Sequence, residues 1–352
     1  MRTPAAHHEQ TSRWGDAQRF AGWRAGRLIW RLNGKIVGGA QVLEKPIGRF
    51  GWTVGYLNRG PLLNPDSPEL RAELIRALQR HARQRRMVYM AVVLPYDGTQ
   101  LESELLAAGF HVSPEALPPS TAMKATSVLD LAPPEEELLA AMRSKTRQHI
   151  RKSLKSGLVL RRGAAEDVRI FQQLLEALCR RRGVSSNVPR GEFVSELWAQ
   201  FSTGGNLQLF LVEKDGAVVA AMLLFATGQW VRAWRFGWAG NFADSYPTEL
   251  IYWEAIKWAR AGGYRYFDFA GFDTEYARAI VAQRPLAEGK ICKISFFKQG
   301  FGGRILSLFP SYCYFPNPLL RVVFRCGGAR FLDSGLFRVL KGLTNKRRSL
   351  PE

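Results

Sequence analysis

The chain has 352 residues, 46% of them hydrophobic, and carries 50 Lys and Arg against 30 Asp and Glu, a formal charge of +20. That length holds two domains or one large one with a substantial core, and the cationic excess, large for an ordinary metabolic enzyme, speaks to partners rather than to fold. Four scattered cysteines (Cys179, Cys292, Cys313, Cys326) without a C-x-x-C pair argue against a zinc site or a disulfide framework; the N-terminus lacks the apolar core of a secretory signal, and no apolar run of about 18 residues is present to span a membrane. A cytoplasmic protein in a reducing compartment is expected.

Residues 1–12 read as disordered. Arg13 to Trp23 reads as a short helix with Trp14, Phe20 and Trp23. Leu28 to Leu43 is a hairpin, because apolar strands flank Asn33-Gly34, a pair suited to a turn of positive φ. Gly51 to Leu63 is a further strand region ending in Asn58-Arg59-Gly60-Pro61. Pro68 to Arg86 is an amphipathic helix with Leu70, Leu74, Ile75, Leu78 and Ala82 inward. Met87 to Leu94 is a buried strand stopped by Pro95, and Leu101 to Ala108 a helix closed by Gly109.

The stretch from Thr126 to Gly163 reads as strand, helix, turn, strand. Pro133-Pro134 stops the apolar run, and Glu135, Glu136 and Glu137 fill a first helical turn, where the macrodipole favours carboxylates. Leu138, Leu139, Met142, Ile150 and Leu154 mark a buried stripe of one helix over 134–156, with Gly157 as its stop. Arg143, Arg147, Arg151 and Lys155 lie four apart and form one ridge, flanked by Lys145 and Lys152. Like charges at that spacing cost about 0.2–0.5 kcal/mol per pair in an isolated helix. Two readings follow: a solvated basic face neutralised from elsewhere, or a docking face for nucleic acid, anionic lipid or a phosphorylated substrate.

After this helix the pattern recurs. Val168 to Arg182 is a helix ended by Gly183. Leu207 to Phe225 is a hairpin around Asp215-Gly216, and Trp230 to Trp238 an aromatic strand. Thr248 to Ala261 is a helix ended by Gly262-Gly263, Tyr264 to Phe269 a strand, and Lys290 to Gln299 a helix ended by Gly300. The two halves correspond at an offset of roughly 180 residues, which indicates a tandem duplication with a mixed α/β sheet in each copy.

The order of elements resembles a GNAT-like (acetyltransferase-like) domain duplicated in tandem. More closely, the chain resembles the Fem family of peptidoglycan interpeptide-bridge aminoacyltransferases, which move an amino acid from aminoacyl-tRNA to a cell-wall precursor. The stretches that carry the resemblance are TSVLDL, MRSKTRQHIRKSLKSGLVLRRG, YLNRGPLL, YRYFDFAGF and FFKQGFGG, spread over residues 13–303. The run S-K-T-R-x-x-I-R-K before a Gly turn is the most specific of them. Domains at 13–132 and 133–303 are expected, with 134–156 as a basic linking helix and 304–352 packing on the first domain or a membrane surface.

The resemblance implies a role for several residues. Lys298, after Phe296-Phe297, matches a lysine that stabilises charge at the transfer centre, with Phe297 beside it; read locally, it is a helix-terminal lysine meeting the dipole. Arg190 matches a phosphate-binding arginine, and Arg235 and Phe236 match groove residues, with ordinary loop and sheet-face roles as the alternatives. Where members often have a lysine this chain has Gln18 or Arg19, so Arg19 would have to substitute or the contact is lost. Leu94-Pro95 replaces an Asp-Pro, leaving Asp97 the nearest carboxylate. The ridge Arg143, Lys145, Arg147, Arg151, Lys152 and Lys155 would meet tRNA. No coiled-coil arm is inserted. Aminoacyl-tRNA would be the co-substrate, lipid II or UDP-MurNAc-pentapeptide the acceptor, with no cofactor or metal and a monomeric state expected.

Such chemistry starts from an activated ester. It needs positioning, a stabilised oxyanion and a route for one proton, and so no Ser-His-Asp set. The five histidines (His7, His8, His81, His111, His149) do not cluster at ligand spacing, and His149 reads as a polar surface contact. A competing acyl-CoA-dependent transferase would show Q/R-x-x-G-x-G/A opening a helix, which is absent. A non-catalytic RNA- or lipid-binding protein is the third reading. The tail is rich in aromatics and prolines from Leu306 to Phe324, suited to core packing. Residues 331–348 end in Lys346-Arg347-Arg348 and read as a basic amphipathic seat on a membrane.

Overall fold

The computed structural model describes residues 6–48, 51–114, 117, 123–189, 191–285 and 292–333. Two units emerge, Met1–Ala122 together with Phe309–Glu352, and Met123–Leu308.

In the first unit, α1 (Ser12–Ala17) leads into β1 (Arg24–Leu32) and β2 (Lys35–Ile47), followed by β3 (Trp52–Asn58), β4 (Leu62–Leu63), α2 (Pro68–Gln84), β5 (Met87–Val93), α3 (Thr99–Ala107) and β6 (His111–Val112). Asn33 and Gly34 both take positive φ, at 49° and 77°, and make the β1–β2 turn as their residue types require. Helix α2 starts at Ser67, whose side chain accepts from Leu70 N, with Pro68 in the first turn. Its stripe of Leu74, Ile75, Leu78 and Ala82 packs on the sheet with Val42, Leu57, Met90 and Val92. Residues 7–12, expected to be disordered, are ordered: Gln10 donates to Asn58 O at 2.6 Å and accepts from Gln41 N at 2.9 Å, and His7 and His8 are buried. Backbone groups of the sheet give this segment its partners, which a reading of local composition does not reveal.

The second unit runs β7 (Ala125–Asp130), α4 (Glu135–Ala141), α5 (Ser144–Ser153), β8 (Val159–Arg162), α6 (Val168–Arg181), α7 (Phe193–Phe201), β9 (Leu207–Lys214), β10 (Ala217–Thr227), β11 (Trp230–Trp238), α8 (Pro247–Ala261), β12 (Tyr266–Asp268), α9 (Thr274–Val281), α10 (Lys293–Gln299) and β13 (Arg304–Ser307). The chain then reaches β14 (Ser311–Tyr314) and α11 (Pro318–Asp333), which belong to the first unit.

The two sheets share a plan. The first is ordered β1-β2-β3-β5-β14-β6, with β4 beside β2; the second is β13-β7-β12-β11-β10-β9-β8. In each, a hairpin leads to a strand that pairs in parallel with the next one after a helix, β3 with β5 and β11 with β12. An antiparallel strand from the far end of the unit's sequence completes each sheet: β14 pairs with β5 and β6, β7 with β12 and β13. The domain boundary therefore falls before β7, not at 132/133, because β7 finds its hydrogen bonds in the second sheet. Residues 304–352 likewise divide. Leu306 lies in β13 of the second unit, whereas Tyr312, Tyr314 and Phe315 are fully buried in the first.

The helix expected over 134–156 is broken. Met142 and Arg143 take extended conformations, with ψ of 156° and 139°. Arg143 N donates to Gly300 O at 2.9 Å instead of continuing the helical ladder. The break resets the helical phase, so α5 buries Thr146, Ile150 and Ser153, and Leu154 is 55% exposed instead of joining the stripe. Among the described residues no helix is long and apolar enough to cross a membrane.

Candidate active site

The parallel pair β11–β12 is paired only from Trp230↔Tyr266 to Arg232↔Asp268. Beyond that point β11 continues along β10 to Trp238, while Ala270 and Gly271 both adopt positive φ (49° and 66°) and carry the chain away. The strands part and leave an opening in the sheet. In the first unit the equivalent pair, β3 and β5, stays together from Thr53 to Asn58. A cavity of about 780 Å³ occupies the opening in the second unit, lined by β11, the end of α6, the start of α8, residues 269–271 and α10.

Close packing behind the opening holds β11 in place. Helix α6 lies on it through Leu174 and Leu175, and a Cβ at Gly237 would fall 2.6 Å from Leu175 N, so only glycine admits the helix backbone there. One extra residue, Trp234, bulges from β11 between the pairs Leu223↔Arg235 and Leu224↔Ala233. A bulge re-aims the side chains that follow it. Arg235 and Phe236 both line the cavity. The Arg235 guanidinium lies over the Trp234 ring at 4.8 Å and donates to Asn187 Oδ1 at 2.9 Å; Phe236 packs on Tyr252.

Lys298 enters the cavity from the last turn of α10. It does not cap its own helix. Its Nζ donates to Gly271 O at 2.8 Å and also to Ala270 O, the two carbonyls turned by the left-handed residues. Phe297 packs edge-on against Tyr252 and Phe301 beside it. Burial of the ammonium pushes the lysine pKa down to about 8; Asp268 opposes this fall, and Arg232 and Arg182 reinforce it. Beneath the 270–271 turn, Asp268 is buried, accepts from Thr126 Oγ1 at 2.5 Å and Ala270 N at 2.8 Å, and lies 3.7 Å from Arg232. The turn is thus anchored on its buried side by a carboxylate and offers carbonyls to the lysine on the other.

Helix α10 is itself fastened by the residue that breaks the basic helix. The Arg143 guanidinium stacks on Phe296 at 3.8 Å and donates to Phe296 O and Gln299 Oε1, each at 3.3 Å. Arg147 donates to Ala140 O at 3.0 Å and to Met142 O, closing the end of α4. The ridge of four cations is therefore not a single surface: two members have intramolecular work, and Lys145, Arg151, Lys152 and Lys155 remain exposed. His149, half-buried, meets Glu249 Oε1 at 2.9 Å and stacks on Tyr246 at 3.9 Å.

The structure thus brings together Arg235, Phe236, Phe297 and Lys298 in one cavity. Arg190 lies outside the described residues. Arg19 belongs to the first unit, exposed, with its Nε donating to Asp16 O at 3.1 Å; Asp97 of the same unit is exposed and Leu94 buried. The sequence reading missed Arg182, Glu249, Tyr252 and Lys293, all of which line the cavity. Their signal was weak, because Glu249 and Tyr252 fall within an ordinary amphipathic helix and Arg182 in a basic run before a Gly stop. Among the described residues no three His, Cys, Asp or Glu side chains gather where they could hold a metal ion.

Two mixed-sheet units in tandem, the second parted at its parallel pair around a half-buried lysine, define a protein of the GNAT-like class, and a model of the acetyltransferase (GNAT) domain matches residues 140–278. The chain belongs to the FemAB family, whose model matches residues 1–189. Lipid II:glycine glycyltransferase of Staphylococcus aureus (strain MRSA252) is 23% identical over 216 residues, 58% of this chain and 50% of the relative; the protein of strain NCTC 8325 matches to the same extent. The chain spans about half the length of the curated relatives it matches. Among solved structures, FemX superposes with a TM-score of 0.78 at 18% identity, over 92% of this chain and 95% of that one. The C-terminal domain of a putative lysylphosphatidylglycerol synthetase from Agrobacterium fabrum gives 0.55 at 14% identity, over 92% and 93%. These two likenesses are of fold.

Proposed function

We propose that the protein is an aminoacyltransferase of peptidoglycan synthesis, which moves an amino acid from aminoacyl-tRNA to a stem-peptide amine of lipid II or UDP-MurNAc-pentapeptide. The observation that carries this reading is the half-buried Lys298 ammonium, held by two carbonyls, in the cavity of a FemAB-family chain. An ester carbonyl attacked by an amine gathers negative charge on its oxygen. A fixed ammonium in a water-poor site stabilises that charge with little reorganisation. Two carbonyl partners keep the lysine aimed, the charge of Asp268 favours its protonated form, and Phe297 and Tyr252 supply an apolar wall.

Other features support the choice of substrates. Arg182, Arg235 and Lys293 line the same cavity and suit a phosphate-bearing acceptor. The exposed Lys145, Arg151, Lys152 and Lys155 suit the tRNA backbone. A peripheral seat on an anionic membrane through residues 331–348, most of which lie outside the described residues, would bring the enzyme to a lipid-linked acceptor. The described part of α11 adds exposed Leu319, Val322 and Val323. Aminoacyl-tRNA is then the co-substrate, and no cofactor or metal is required.

Mass spectrometry of stem peptides from cells lacking the gene tests the reading. Loss of a bridging residue, restored by the wild type and not by Lys298→Met, is expected. Unaltered stem peptides, with acyl transfer from acyl-CoA by the purified protein, would replace it with the acyl-CoA-dependent alternative.

A further inference from the structure

We propose that Glu249 forms an ammonium-binding subsite in the cavity, its carboxylate held by His149, whose ring stacks on Tyr246, and that this subsite seats the amine of the acceptor. The inference rests on the aminoacyl-transfer reading and deepens it. Four cations, Arg182, Arg235, Lys293 and Lys298, line the cavity, and Glu249 is the one carboxylate among the described lining residues. A site for a purely anionic ligand gains nothing from a carboxylate, which repels such a ligand at short range. A site for a ligand anionic at one end and cationic at the other needs one, placed where the ammonium goes.

The local structure shows a built position. Tyr246 takes a left-handed conformation (φ 56°) before Pro247, which turns the chain into α8 and sets Glu249 in its first turn. There the helix end stabilises the carboxylate charge. A glutamate at this position commonly folds back onto the N–H at the helix start. That N–H, of Tyr246, already donates to Ala243 O at 3.1 Å. Glu249 turns instead to His149, whose Nδ1 lies 2.9 Å from Oε1 and whose ring lies nearly flat on Tyr246, at 3.9 Å and 17°. An ionised carboxylate accepts up to about four hydrogen bonds, so the His149 contact leaves acceptor capacity toward the cavity. Tyr246, Trp238 and Tyr252 add aromatic walls, which favour a cation over an anion.

The test is titration of the purified full chain with UDP-MurNAc-pentapeptide bearing a free side-chain amine, and with the same molecule N-acetylated at that amine. The wild type should prefer the free amine. Glu249→Gln should lose about tenfold in affinity for the free amine and bind the acetylated form as the wild type does. His149→Phe, which keeps the stack on Tyr246 but not the hydrogen bond, should show a smaller loss of the same selectivity. Equal losses for both ligands in both variants, or none, would overturn the subsite, because a purely structural role does not distinguish them. Aminopentyl phosphate and its N-acetyl form, which lack the muramyl group, separate this claim from the parent reading. Selective loss of the free amine in Glu249→Gln there sustains the subsite even where the nucleotide does not bind. Wild-type binding of neither probe pair overturns it.

Discussion

Replacing Lys298 with Met tests the role of the ammonium, because it removes the charge and keeps much of the bulk. The lowered pKa of about 8 has a consequence for stability. A lysine with a lower pKa folded than unfolded binds fewer protons in the folded state between about pH 8 and the usual lysine value, so stability rises with pH across that window. At neutral pH the half-buried ammonium then costs at most about 3 kcal/mol. Lys298→Met removes that cost but leaves the carbonyls of Ala270 and Gly271 without their donor, at about 1–3 kcal/mol each, the lower end applying where cavity water can replace it. The two effects oppose one another, and the net change in stability should lie between about 1 kcal/mol stabilising and about 3 kcal/mol destabilising. Catalysis has no such offset. Loss of one preorganised oxyanion stabiliser lowers kcat by about 10²–10³, with KM little changed. The assay is steady-state transfer from purified aminoacyl-tRNA to the nucleotide-linked acceptor, with Tm measured on the same samples. Activity that needs the ammonium falls as pH rises through about 8. Lys298→Arg, charged at every accessible pH, should lose this descending limb whatever its absolute rate. Normal turnover in Lys298→Met, or a limb unmoved by Lys298→Arg, would refute the role.

Asp268→Asn should destabilise the second unit by about 3–5 kcal/mol, since it removes a buried carboxylate charge that lies 3.7 Å from Arg232 and accepts from Ala270 N, and should lower transfer by loosening the 270–271 turn; chemical denaturation and kcat read the two effects. Arg151→Glu with Lys155→Glu should weaken tRNA binding and flatten the log-log salt dependence by about 0.7–0.9 per lost phosphate contact in filter-binding assays. Arg143→Ala should behave differently, lowering Tm and activity through its hold on α10 with a smaller effect on the salt slope. A chain ending near Ala329 should no longer co-sediment with anionic liposomes that pellet the full chain, and equal behaviour of both chains would reject residues 331–348 as the membrane seat.

Much of the architecture was legible in the sequence, because its determinants are local. Asn33-Gly34 and Asp215-Gly216 take the positive φ angles that close two hairpins. The stripe Leu74, Ile75, Leu78 and Ala82 announces α2 through helical period alone. The motif FFKQGFGG singles out Lys298, but that its ammonium meets the carbonyls of Ala270 and Gly271 rather than its own helix end is set by residues outside the motif. Other features depend on residues distant in the chain. An apolar run such as Thr126 to Leu131 carries no label for the sheet it joins, so the assignment of β7 to the second unit came from its partners β12 and β13. The break at Met142-Arg143 is invisible to periodicity, because its cause is a hydrogen bond to Gly300. Glu249 and His149 meet across about a hundred residues of chain. The cavity itself exists because β11 and β12 stop pairing at Arg232 and Asp268. Propensity and pattern reflect what a residue prefers beside its chain neighbours. The site is made of contacts between residues with no such proximity, and these arise only when the sheet and helices pack.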